Sequence, residues 1–171
     1  MNSTPSTPQA GWRERRIAGR AQGDHILDPY RSRQKLLEPT VCRQCGVVYH
    51  HGRWQWGHRP ADAHEDLCPA CHRINDGFPA GIVTLNGAFF RQHKDELVGL
   101  ARNQEEAENG EHPLNRIISI EEKDESLVIS TTDIHLPRRI GEALKRAFHG
   151  KLDMHFDEAG YFVRVDWQPS A

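Results

Sequence analysis

The chain of 171 residues is poor in most of the features that announce a function. No stretch approaches the roughly 18 to 20 consecutive apolar residues that a membrane-crossing helix needs. The opening Met-Asn-Ser-Thr-Pro-Ser-Thr-Pro has no apolar run of the signal-peptide kind, so the expected location is the cytoplasm, a reducing compartment. There is no G-x-x-x-x-G-K-[ST] phosphate loop, no G-x-G-x-x-G after a strand and no G-x-S-x-G nucleophile turn. Internal repeats are absent. Apolar residues make up only 37% of the chain, too few for one large core at this length. A metal staple would let a short segment fold without such a core, because metal binding supplies folding free energy.

Cysteine is scarce, and its placement is the strongest signal. Four are present, as Cys42-Arg-Gln-Cys45, 22 residues, then Cys68-Pro-Ala-Cys71. Two C-x-x-C pairs at this separation predict one tetrahedral zinc site, with each pair on a tight turn that aims two thiolates at the ion. No cysteine is left over, and Gly46 directly follows the first pair. Redox motifs or disulfides would need a βαβ setting or a secreted chain, and neither is indicated. His50, His51, His58, His64 and His72 lie in or beside this segment. With four thiolates available they are expected at the surface or bonded to backbone carbonyls rather than on the metal.

The net charge of −2 hides an uneven distribution. Residues 1–60 hold ten Lys/Arg against four Asp/Glu, residues 61–111 four against ten, and residues 112–171 eight against ten. A basic first third suggests a one-sided electrostatic footprint.

Four segments follow from composition and periodicity, giving an α+β fold. Residues 1–34 read as a flexible basic arm, rich in Ser, Thr, Pro, Gly and Arg, in which Trp12, Arg15 and Arg16 could meet phosphates and bases. Residues 35–87 read as a four-cysteine zinc ribbon of short antiparallel strands. That segment includes Trp54-Gln55-Trp56 and the β-branched run Gly81-Ile82-Val83-Thr84-Leu85-Asn86-Gly87. Residues 88–110 read as a connecting helix, with Phe89, His93, Leu97, Leu100 and Ala101 on one face. Asp95, Glu96, Glu105, Glu106 and Glu108 are expected on its exposed side, and Asn109-Gly110 as a left-handed stop.

Residues 111–168 read as a ββαββ antiparallel module. Its strands are 116–121, 127–131, 152–156 and 163–167. Thr132-Asp133 offers the N-cap of its helix, and Leu136, Ile140, Ala143, Leu144, Ala147 and Phe148 form the apolar stripe.

The C-x-x-C-G…C-P-x-C segment, the Gly-x-Val-x-Leu-x-Gly strand, the acidic helix and a closing unit with Arg138-Arg139-Ile140-Gly141-Glu142-Ala143-Leu144 and Val163-Arg164-Val165-Asp166-Trp167 together resemble an uncharacterised family of short bacterial zinc-ribbon proteins. More distantly they resemble the N-terminal zinc-ribbon region of the archaeal and eukaryotic large-subunit ribosome export adaptors. The resemblance covers residues 35–167. It implies that Cys42, Cys45, Cys68 and Cys71 hold one structural zinc and that the partner is RNA or a ribosome. The adaptors carry two four-cysteine sites and further domains, for which this chain has no room.

The expected function is non-enzymatic binding of RNA or a ribonucleoprotein. Candidate contacts are Trp12, Arg15, Arg16, Arg53, Trp54, Trp56, Arg138, Arg139, Lys145 and Arg146, with Arg43, Arg59 and Arg73 extending the basic surface. Two alternatives stay open. A metal-dependent nuclease of the His-Asn-His type could use His50 or His51 as base and His72 as metal ligand, although no Asp-His pair stands between the two cysteine pairs. A protein–protein adaptor could present the acidic helix.

Overall fold

The computed structural model describes residue 30 and residues 35–170. Trp12, Arg15, Arg16 and the rest of the expected basic arm lie outside them, apart from Tyr30. The fold is α+β, with three helices and two mixed sheets among the described residues.

The smaller sheet is built from three-residue strands: β1 (Thr40–Cys42), β2 (Val48–His50), β3 (Arg53–Gln55) and β4 (His64–Asp66), in the order β3-β2-β1-β4. The β2–β3 hairpin turns at His51 and Gly52, which have φ of 51° and 78°. Two positive φ values in a row suit the right-handed twist of a two-residue hairpin. The Glu38 carboxylate accepts both N–H groups of the turn, from His51 at 3.1 Å and Gly52 at 2.9 Å. β4 runs parallel to β1, with Cys42 opposite Asp66. This pairing brings the two distant cysteine pairs side by side.

The strand at Gly81–Asn86 (β5) was expected in the small module. It is instead the central strand of the larger sheet, between β7 (Ser126–Thr131) and β9 (Val163–Gln168). β6 (Ile117–Lys123) and β8 (Lys151–Phe156) form the edges, giving the order β6-β7-β5-β9-β8. β5 is antiparallel to β7 and parallel to β9, so the expected ββαββ unit gains a strand and becomes mixed. The reason is burial. Val83 and Leu85 alternate onto one face, where with Leu127, Ile129, Val165 and Trp167 they need a core of long strands and helices. A sheet of three-residue strands offers none.

Helix α1 spans Pro69–Asp76. α2 (Phe89–Asn109) and α3 (His135–Phe148) pack on the larger sheet. Val83, Leu85, Leu127, Ile129, Val163, Val165 and Trp167 meet Phe90, Leu97 and Ala101 of α2 and Leu136, Ile140 and Leu144 of α3 in one core. Each Val, Leu, Ile or Phe side chain among them contributes about 1.5–3 kcal/mol on full burial. Gly141 marks the closest approach of α3. A Cβ there would stand 2.7 Å from Val165 Cγ1 and 2.9 Å from Leu152 Cδ1.

α2 departs from expectation at its C-terminal end. Gly110 has φ −65°, so it is a right-handed residue and not a left-handed stop. Glu108 is buried rather than solvated, because it lies seven residues beyond Ala101 and so on the same, inward face. Its charge is met by Arg139 Nε at 2.6 Å and Asn115 Nδ2 at 2.9 Å. Glu105 is also engaged, accepting the Ile117 N–H at 2.8 Å. Ala147, expected on the α3 stripe, is exposed.

Asp133 caps α3 as expected, accepting from the N–H groups of His135 at 2.7 Å and Leu136 at 3.0 Å. Burial lifts its pKa above the ordinary aspartate value, against the pull of those two N–H groups. Its Oδ1 is buried with no hydrogen-bond partner among the described residues. The folded carboxyl holds its proton more tightly than the unfolded one. Its contribution to stability is therefore complete below the ordinary aspartate range and is lost as pH rises through the raised pKa. Asp133→Asn keeps an acceptor oxygen and cannot ionise. Urea unfolding is expected to show it gaining stability relative to the unsubstituted protein as pH rises from about 4 to about 7. A difference that does not change with pH would contradict this.

Candidate metal centre

Each cysteine pair is aimed by its own local geometry. After Cys42 the chain turns tightly: Gly46 N–H returns to the Cys42 carbonyl at 2.9 Å, and Cys42 N–H reaches the Val47 carbonyl at 2.8 Å. Gly46 has φ 80°, which glycine adopts without steric cost. The second pair stands at a helix start and not on a second hairpin turn. Cys68 is the N-cap of α1, Pro69 follows it, and Gly77 ends the helix in the left-handed region. Cys71 N–H donates to Cys68 Sγ at 3.3 Å. An N-cap cysteine, a proline behind it and a glycine nine residues on were legible start and stop signals for this short helix.

The four sulfurs lie within 4.8 Å of one another. Cys45 Sγ and Cys68 Sγ are 3.8 Å apart. A tetrahedron with Zn–S bonds of about 2.3 Å has edges of about 3.8 Å, whereas a disulfide needs about 2.05 Å. All four cysteines are free. The donor set and spacing thus fit a metal ion held by four thiolates, in the arrangement of a zinc ribbon, and Cys42, Cys68 and Cys71 are buried. Such an ion would have no open position for water, so its contribution is to hold the fold.

Hydrogen bonds to sulfur complete the site. Cys68 N–H donates to Cys42 Sγ at 3.3 Å. Burial pushes the Cys42 thiol up, but the backbone N–H groups of Cys45, Cys68 and Gln44 outweigh it and bring its pKa down to about 6. Burial dominates at Cys71, raised to about 11, and at Cys68, which is raised further, with the neighbouring cysteines adding to both shifts.

A residue that sequence reasoning passed over completes the site. Arg116 donates from Nη2 to Cys45 Sγ at 3.1 Å and from Nη1 to Cys71 Sγ at 3.4 Å. Burial opposes its charge, yet the sulfurs of Cys45, Cys68 and Cys71 hold its pKa above the ordinary arginine value. In the sequence Arg116 is an arginine at the start of a strand, and no motif ties it to cysteines 45 and 71 residues away.

The other candidates are dispersed. Arg138, Arg139 and Arg146 line one open groove of about 450 Å³ along α3, with His135, Glu142 and Gln104 of α2. Lys145 is exposed on α3 outside that lining. Arg53 is exposed on the edge strand β3. Trp54 packs against the core of the small module and stacks at a tilt on Tyr49, 5.3 Å between ring centres. Trp56 is 40% exposed, but its Nε1–H is committed to the Asn109 carbonyl at 2.6 Å.

Arg73, counted with the basic surface, is buried: it donates to the Phe78 carbonyl at 3.1 Å and lies over the Tyr30 ring at 4.4 Å. Arg59 pairs with Glu65. Among the described residues the four cysteines are the one group of possible metal ligands that comes together, and His50, His51 and His72 join no such group. No described helix is long and apolar enough to cross a membrane.

No protein-family model matches the chain, and neither a curated protein nor a solved structure matches it.

Thiols must lose their protons to bind metal, and Cys68 and Cys71 are held protonated near neutral pH by burial. Adding metal to the metal-free protein in weak buffer near neutral pH should release about two or more protons per ion, read with an indicator dye. Metal affinity should fall as pH falls. Binding without proton release would show that the sulfurs are not the ligands.

Proposed function

We propose that this protein is a binding protein held together by one structural zinc, and that the groove along α3 takes the phosphates of a single-stranded RNA. The observation that carries the RNA reading is the convergence of Arg138, Arg139 and Arg146 on that one groove. Arg139 and Arg146, seven residues apart, stand on one side of α3, and Arg138 lines the groove from a position about 100° round the helix. Arg139 is oriented by buried Glu108 through Nε, and Arg138 by Glu142 through Nε at 3.1 Å. A guanidinium fixed at one edge has less freedom to lose when it meets a phosphate. His135 at the N-terminal end of the groove adds a further donor.

Zinc is favoured over other divalent ions by four thiolates at tetrahedral spacing. The adaptor reading has less to work with, because Glu105 and Glu108 of the acidic helix are spent inside the fold.

Elemental analysis of purified protein should find one zinc per chain, and a metal-free protein that is fully folded would remove the structural role. RNA binding is measured by fluorescence anisotropy with a labelled single-stranded oligoribonucleotide. Three phosphate contacts should weaken affinity about 20-fold over a fourfold rise in salt. Replacing Arg138 and Arg146 by alanine should flatten the salt slope by about 1.4 in log–log terms. Affinity that does not respond to salt or to these substitutions would reject the groove as the RNA site.

A further inference from the structure

The small module and the larger sheet meet through few direct contacts between their strands. The contacts that do cross are concentrated beside the cysteines. Arg116 belongs to the larger unit: it immediately precedes β6, and its N–H donates to Thr132 Oγ1 at 2.9 Å. Its guanidinium reaches out of that unit to one sulfur of each cysteine pair. Nε donates to the Pro113 carbonyl at 2.7 Å, so the plane of the fork is set from its own side. From the small module, Trp56 lies over the guanidinium, with its ring centre 5.8 Å from Cζ, and donates to the carbonyl at the last residue of α2. Leu114 adds an apolar contact with the small core around Cys42, Val47 and Cys71.

We infer that the metal centre is the joint that docks the small module onto the five-stranded unit, with Arg116 as the positioning residue that couples docking to metal. This rests on the reading of the cysteines as a zinc site. Four thiolates around one divalent cation carry two net negative charges, in a module where Cys42, Cys68 and Cys71 are buried. A planar fork satisfies two of those sulfurs at once, and such charge-assisted bonds are roughly twice as strong as neutral ones. Bound metal fixes the Cys45 and Cys71 sulfurs at one spacing. Without it the sulfurs are free to separate, and the fork loses the two-point target that its geometry requires. Coupling of this kind is reciprocal: metal favours docking, and docking retains metal.

The test uses the full chain with zinc bound. Arg116→Met keeps a long stem and removes the fork, while Arg116→Lys keeps a point charge without it. Zinc transfer to a chromogenic chelator should be about 10–100-fold faster for Arg116→Met, with Arg116→Lys between it and the unsubstituted protein. Hydrogen exchange should rise at residues 109–118 in zinc-loaded Arg116→Met, while β5, β7 and β9 keep their protection. Release and exchange equal to those of the unsubstituted protein would overturn the joint even with one zinc per chain. If Arg116→Met does not fold, the unsubstituted protein carries the test: stripping its zinc should raise exchange at 109–118, and unchanged exchange there overturns the joint. A chain that takes up no zinc overturns both this inference and the zinc reading beneath it.

Discussion

Four sulfurs gathered within 4.8 Å on a sheet of three-residue strands create a demand for hydrogen-bond donors that the rest of the structure has to meet. Backbone N–H groups at the first turn and at the start of α1 answer part of it, and the guanidinium of Arg116 answers another part from outside the module. That one side chain is why the two halves of the chain have to be considered together. The segment that carries it, residues 110–116, is short and heavily bonded: Asn115 to Glu108, Arg116 to Pro113 and Thr132, and Leu114 against the cysteine core.

Elsewhere the larger unit is organised by apolar burial. α2 and α3 cover one face of a mixed sheet, and the polar groups caught beneath them are neutralised in place. Glu108 is the main example. It is buried on the inward face of α2, and Arg139 and Asn115 meet its charge. Arg139 thereby links the interior to the groove on α3, since its side chain also lines that groove.

Much of this was legible in the chain. The cysteine spacing identified the four sulfurs that converge, because the two turns that aim them are local structures with local signals. The strands at 117–123, 126–131, 151–156 and 163–168 and the helix at 135–148 follow period-two and period-3.6 patterns, with Asp133 as a visible cap. The residues that were misplaced share a cause. Ile82, Val83 and Leu85 stand nearest in sequence to the small module, but the alternation of Val83 and Leu85 fits the core face of the larger sheet. Glu108 and Arg73 read as surface charges by residue type, but the inward phase of α2 buries Glu108, and α1 carries a buried Arg73.

The sequence by itself determined which cysteines pair on local turns and which segments form the strands and helices of the larger unit, since each depends on residues within one or two turns of each other. Only the tertiary structure decided what surrounds the four sulfurs. The parallel pairing of β1 with β4 closes a loop of more than twenty residues, and Arg116 arrives from the far side of two helices and a strand. No local pattern encodes such a meeting. Its partners are chosen by charge and burial, which act through space and become visible only when the chain has been folded.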